Sequence, residues 1–247
     1  MSLTRVYPVA PGARAPETVD LKDADARDRL ASLYSTPKRK WLRLNFVTSL
    51  TGNTAGTDGT SDSLSSRTDR AVLGVIRRLS DVVLVGASSV RAEGYLLPRT
   101  TPLAVITSSG NLTGHRIPTD IAGGRLLVIC PDDVAGRVRS GLPSAVDVIP
   151  IDSDSKVVPV EQVLAALRAR GLANIVCEGG PTLAAHLVKA KLVDELCLTT
   201  SPILGEVRLP LLSGAVEDGR LSLAQLLVDE SDALYARWMF PERPATA

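Results

Sequence analysis

The chain has 247 residues, of which 45% are hydrophobic and 22% charged, the balance of a soluble globular protein with room for one large domain or two small ones. Its 28 basic and 27 acidic side chains leave a formal net charge of +1, and aromatics are only 3%. Nothing in bulk therefore draws it to nucleic acid or to a membrane, and base-stacking platforms are scarce.

No apolar run approaches the roughly 18 residues of a membrane span. The start, MSLTRVYPVAPGARAPE, lacks the apolar core of a signal peptide. Together these features read as a cytoplasmic protein whose partner is a small molecule. Cys130, Cys177 and Cys197 lie far apart in apolar runs and read as reduced core residues, not as a disulfide framework.

In chain order, residues 1–20 are rich in Pro and Ala and predict a loose start. DADARDRLASLY (23–34) predicts a short helix and STPKRK a connector, so residues 1–40 form an extension, partly disordered or helical. The main domain is expected over 41–247. WLRLNFVTSL (41–50) reads as a strand. TGNTAGTDGTSDS (51–63) is Gly, Thr, Ser and Asp almost throughout and reads as a loop. SSRTDRAVLGVIRRL (65–79) sets Ala71, Val72, Val75, Ile76 and Leu79 on one helical face. DVVLVG (81–86), PLAVITS (102–108) and RLLVIC (125–130) are short continuous apolar runs, as in buried strands of a parallel sheet. DDVAGRVRSGL predicts a helix, VDVIPI (146–151) a strand, and VEQVLAALRARG (160–171) a helix with a glycine stop. A strand at 174–178, a helix at 181–191 and a strand at 194–204 follow. LAQLLVDESDALYARWMF (223–240) predicts an antiparallel hairpin around DESD, at the end of the sheet.

This alternation means an α/β fold with a largely parallel central sheet flanked by helices. Ligands in such sheets bind beyond the carboxyl ends of the strands, and three strand ends stand out. Glu178-Gly179-Gly180-Pro181-Thr182 joins glycines that allow close backbone approach to a proline suited to a first helical turn. The free N–H groups and dipole of that helix start attract phosphate. After Gly86, Ser88 and Ser89 are small enough for a ring or ribose to lie on the backbone, with Arg91 and Glu93 beyond. Thr107, Ser108 and Ser109 present three hydroxyls. Each stretch also reads as an ordinary turn. His115 and His186 are the only histidines and read as structural or exposed. No HxxxH, CxxC, GxSxG or Walker lysine pattern is present, so zinc, serine-hydrolase and P-loop chemistry find no footing.

On NFVTSLTGN, DGTSD, VIRRLSDVVLVGASSVRAEGY, CEGGPTL and LVDELCLTTSPILG, in that order, the chain resembles the pyrimidine reductase domain of riboflavin biosynthesis. The resemblance covers roughly residues 41–240 and implies a dihydrofolate-reductase-like fold that binds NADPH and reduces a ribosyl group on an aminopyrimidine to ribityl. It implies that Ser89 and Glu93 line the cofactor, that Ser108 meets the adenosine phosphate, and that Gly180, Pro181, Thr182 and Leu183 cradle the pyrophosphate. Thr48, Gly86, Ser88, Val90, Thr107, Ser109 and Gly179 complete the implied cofactor side.

On the substrate side it implies Asn45, Ser61, Arg77 and Leu97, the arginine at the phosphate, with Glu178 facing the pyrimidine. Thr51 and Glu178 are the implied catalytic positions, although family members usually carry SLDG where this chain has Ser49-Leu50-Thr51-Gly52. Ser88-Ser89 stand in for the more usual Gly-Thr. The H-x-E and P-C-x-x-C of the zinc deaminase half of bifunctional members are lacking, so a stand-alone reductase is expected. Dihydrofolate reduction and a non-catalytic nucleotide sensor are the alternatives. The resemblance also implies a homodimer, for which strand 194–204 and the terminal hairpin would offer an edge.

Overall fold

The computed structural model describes residues 1–8, 16–37, 40–94, 97–116, 118, 121–152, 157–214 and 216–242. Each apolar run becomes a strand: β3 (Trp41–Thr48), β4 (Val82–Gly86), β5 (Leu103–Ile106), β6 (Leu126–Pro131), β7 (Asp147–Ile151), β8 (Asn174–Cys177) and β9 (Glu195–Thr200). These seven run parallel in the order β9-β3-β8-β4-β5-β6-β7. Except along the edge strand β7, both faces are largely buried, which is why the runs are continuous. Val83 and Val85 point into one core and Val82 and Leu84 into the other, as the two-residue period requires.

The first core is closed by helices α1 (Ala26–Leu33), α2 (Arg67–Arg78), α3 (Ala87–Glu93) and α4 (Asp132–Ser140), through Leu30, Val72, Ile76, Val90 and Val138. The second is closed by α5 (Val160–Ala169) and α6 (Pro181–Lys189), through Val163, Leu167, Ala184 and Leu187. Ser66 caps α2, its hydroxyl accepting from Asp69 N at 3.0 Å, one of the orphan donors of a helix start. No helix of the described residues is long and apolar enough to cross a membrane.

The hairpin forms as β10 (Ser222–Asp229) and β11 (Leu234–Met239), with β11 antiparallel to β9. It does not end the sheet. The first residues form β1 (Ser2–Tyr7), which pairs with β10, and β2 (Thr18–Asp20), which pairs with β1. The expected loose start is corrected at both ends of that stretch; residues 9–15 lie outside the described residues. The reason is burial: Leu3 is 1% and Val19 1% exposed, in the same core as Leu227 and Tyr235. Leu3→Ala should therefore cost about 2–4 kcal/mol in a urea unfolding curve, where a loose extension would show no change.

The expected dimer edge is corrected as well. β9 is paired on both sides, by β3 and β11, and β10 by β11 and β1; the sheet edges are β2 and β7. The strand expected to reach 204 stops at Thr200. Pro202 follows, which has no ladder donor to give.

Candidate active site

The ends of β3, β8, β4 and β5 open into a cleft of about 1240 Å³. Its floor is made where two strand ends touch. Gly86 N donates to Gly179 O at 2.7 Å, tying the end of β4 to the segment after β8. Gly179 has φ +117, a conformation that favours glycine. A Cβ built on Gly180 would stand 2.9 Å from Ser89 Oγ, and one on Gly179 3.4 Å from Phe46. A side chain at Gly180 would crowd the Ser89 hydroxyl, and one at Gly179 would be strained by its positive φ.

Both strand ends turn at once into helices. α6 has Gly180 as N-cap and Pro181 in its first turn, with no side-chain cap. Its first backbone bond runs from Ala184 N to Gly180 O at 3.1 Å. Thr182 and Leu183 line the cleft, so a helix start whose N–H groups lack a side-chain acceptor faces it. α3 likewise starts from Gly86 without a side-chain cap, and Ser88 and Ser89 line the cleft from its first turn.

At the next strand end Thr107 is buried, with its N–H donating to Ile129 O at 2.9 Å, while Ser108 is exposed. Ser109 Oγ accepts from Asn111 N at 3.2 Å, and Ser109 O from Arg137 Nη2 at 2.6 Å. Arg91 braces the same loop by donating to Asn111 O at 2.8 Å. Thr107, Ser108, Ser109, Arg91 and Arg116 all line the cleft.

The opposite half is walled by Asn45 of β3, the loop around Ser61, and α2, which offers Asp69, Arg70, Leu73, Gly74 and Arg77. Two residues expected to hold different parts of a substrate hold each other. Arg77 Nε donates to Glu178 Oε1 at 2.8 Å and Arg77 Nη2 to Oε2 at 2.6 Å, a bidentate pair. The Glu178 side chain is 6% exposed and that of Arg77 23%. Breaking such a pair from one side strands a charge. A double-mutant cycle of Arg77→Met and Glu178→Gln should give a coupling of about 1.5–3 kcal/mol in unfolding free energy; additive losses would mean that the pair is decorative.

Ser61 Oγ donates to Glu93 Oε2 at 2.7 Å, bridging the loop after β3 to α3. Burial pushes the Glu93 carboxyl above its ordinary range, against the lowering effect of Ser61. Asp69 is raised by burial too, against hydrogen bonds from Ser65 and Thr199. Burial pushes the Cys177 thiol up to about 12, so it supplies no thiolate at neutral pH. Among the described residues no group of three His, Cys, Asp or Glu side chains could hold a metal ion.

Five expected positions stand outside the cleft lining. Thr51 is exposed; its Oγ1 donates to Gly205 O at 2.7 Å and lies 2.8 Å from Ser49 Oγ. A carboxylate at 51 would have no proton to give Gly205 O, and the position lies outside the cleft lining, so the geometry lends no support to a catalytic role there. Thr48 is buried behind the wall, its carbonyl accepting from Ser201 N at 2.8 Å. Val90 is fully buried in the first core, and Leu97 packs against it. Gly179 supports the floor from behind Gly180. The remaining expected residues, from Asn45 to Leu183, line the cleft. Sequence reasoning missed Asp69, Arg70, Arg116, Leu209 and His186, the last of which lines the cleft instead of being merely structural or exposed. Arg70, Gly74 and Arg77 follow helical spacing opposite Val72 and Ile76, so their face was there to be read.

The RibD C-terminal domain family matches residues 40–235. The riboflavin biosynthesis protein RibD of Chlamydia pneumoniae is 27% identical over 186 residues, 70% of this chain and 49% of that protein. The RibD protein of Mycobacterium tuberculosis is 26% identical over 179 residues, 68% and 47% respectively. The chain thus spans about half the length of the curated relatives it matches. Among solved structures, a pyrimidine reductase-like protein from Corynebacterium diphtheriae superposes with a TM-score of 0.71 at 21% identity, covering 88% of this chain and 99% of the other. The bifunctional deaminase and 5-amino-6-(5-phosphoribosylamino)uracil reductase of Thermotoga maritima gives 0.64 at 19% identity, covering 88% and 62%. The parallel sheet with its terminal antiparallel hairpin is the α/β architecture expected from the sequence. With four fifths of its length matched, the chain belongs to the RibD C-terminal domain family.

Proposed function

We propose that the chain is an NADPH-dependent reductase of a phosphorylated aminopyrimidine, with 5-amino-6-(5-phosphoribosylamino)uracil as the leading substrate. The observation that carries this reading is the pair of uncapped helix starts, α3 and α6, fused at the cleft floor by the Gly86–Gly179 hydrogen bond. The floor suits a dinucleotide, because glycine at 179 and 180 lets a ligand approach the backbone beside Ser89. Bound there, the reduced nicotinamide supplies hydride. The α6 start, through the Thr182 and Leu183 N–H groups, holds the pyrophosphate.

Exposed Ser108, which lines the same cleft as Arg91 and Arg116, suits the extra phosphate on the adenosine ribose and favours NADPH over NADH. Glu178, fixed in orientation by Arg77, accepts hydrogen bonds from the pyrimidine. With Arg77 engaged by Glu178, the reading assigns the phosphate contact to Arg70, about two turns back along the same helix face. Arg70 is 53% exposed, and its salt bridge is to Asp62, itself 78% exposed, at 3.2 Å, a contact worth little in water.

The reading also keeps a cytoplasmic setting and a homodimer. Leu50, Ile203, Leu204, Val207 and Leu209 are exposed on two loops joined by Leu50 N to Ile203 O at 2.9 Å, and this apolar surface suits a second copy.

The test is loss of reduced-nicotinamide absorbance with the phosphoribosylaminouracil and with dihydrofolate as separate substrates. Turnover with the first alone is expected. Turnover with dihydrofolate alone would reassign the substrate, and NADPH binding without turnover of either would make the chain a sensor.

A further inference from the structure

A second cavity, of about 500 Å³, lies away from the cleft and shares no lining residue with it. It is lined by Arg5 of β1, Arg29 and Ser32 of α1, Gln225 of β10 and Arg237 of β11, with Glu17 as the single acid. Three guanidinium groups thus converge from three elements on the first-core face of the antiparallel half of the sheet.

Their partners leave capacity over. Arg5 Nη1 donates to Glu17 Oε2 at 3.2 Å, but Arg5 Nε is buried with no hydrogen-bond partner. Arg29 Nη2 donates to Thr18 O at 2.6 Å and its Nη1 stands 3.8 Å from Asp23. Arg237 is turned inward, with Nε on Glu195 at 2.5 Å. Gln225 is 3% exposed, and its Nε2 also lacks a partner. Two orphan buried donors at one polar cavity are a debt that protein interiors rarely carry; a bound ion or water is the usual settlement. Each arginine already meets a carboxylate, at Glu17, Asp23 and Glu195, but both orphan groups are donors, and donors alone call for an acceptor-rich occupant such as an oxyanion.

We infer that this cavity is a binding site for a phosphate-like oxyanion, with Gln225 and Arg5 donating at its floor and Arg29 closing its mouth. The site is independent of the cleft and of the reaction proposed there. An oxyanion seated here would tie β1, α1 and the hairpin together and stabilise the folded chain by mass action.

The experiment is isothermal titration of inorganic phosphate into the full chain, against sodium chloride at matched ionic strength. One saturable site is expected, with a rise in melting temperature. Gln225→Leu and Arg29→Gln should each weaken it about tenfold, the loss of one hydrogen bond to a charged group, with NADPH affinity unchanged. Gln225→Leu removes an orphan amide and should fold at least as well as the parent. If it does not fold, half-buried Arg29→Gln still decides the matter. Absence of saturable binding would overturn the site and leave water as the occupant. Equal phosphate affinity in parent and both variants would overturn it too, by assigning the ion to the cleft.

Discussion

Glu195→Ala will destabilise the fold by about 3–5 kcal/mol, the largest stability loss expected of any single side chain in the sheet. Glu195 is 0% exposed on β9 and stands between two arginines. Its Oε2 accepts from Trp41 Nε1 at 2.8 Å and from Arg43 Nε at 2.9 Å; its Oε1 accepts from Arg237 Nε at 2.5 Å. The arginines then reach outward. Arg43 Nη2 donates to Tyr34 O at 2.7 Å, and Arg237 donates to Leu33 O and to Ser35 O, its guanidinium 5.5 Å from the Tyr34 ring centre. The network fastens the end of α1 to the sheet.

Alanine at 195 would leave two guanidinium groups buried without their counter-ion. Burial alone would raise the Glu195 carboxyl, yet Arg43 and Arg237, with hydrogen bonds from Arg237 and Trp41, bring it below its ordinary value. An acid depressed in the folded state stabilises above its unfolded pKa, about 4.3. That contribution is lost as pH falls through the lower folded value. Urea curves should therefore show the parent losing stability in that acid window and Glu195→Ala losing less there. A parent-like midpoint for Glu195→Ala at neutral pH would mean that the triad holds nothing.

Thr182→Glu should separate folding from cofactor binding with opposite signs. Thr182 is exposed in the first turn of α6, where the helix has no side-chain cap. A carboxylate there complements the helix dipole and stabilises by about 0.3–1 kcal/mol. The same carboxylate occupies the place proposed for the pyrophosphate, and like charges brought together cost several kcal/mol. NADPH affinity should fall by about 100-fold or more while the melting temperature holds or rises.

The parallel half of the sheet was legible because its evidence is local. Runs such as Val82–Val85 and Leu126–Cys130 need both faces buried, and only a sheet covered on both sides offers that. The strand-end glycines were legible for the same reason: Gly179-Gly180-Pro181 carries its turn in its own residue types. What escaped depends on partners far away in sequence. β1 is six residues whose apolar positions mean little until β10 is beside them, with Leu3 opposite Asp229. Arg77 and Glu178 are 101 positions apart, so each read as free to meet a ligand. Thr51 was assigned by analogy of position, and its hydroxyl proved to be turned to Gly205.

Equilibrium titration of NADPH into the parent chain and into Thr182→Glu, side by side, tests the central claim most directly. The account predicts saturable binding by the parent and its loss in a variant that melts no lower. Equal affinity in the two proteins, or no binding by the parent, would contradict it.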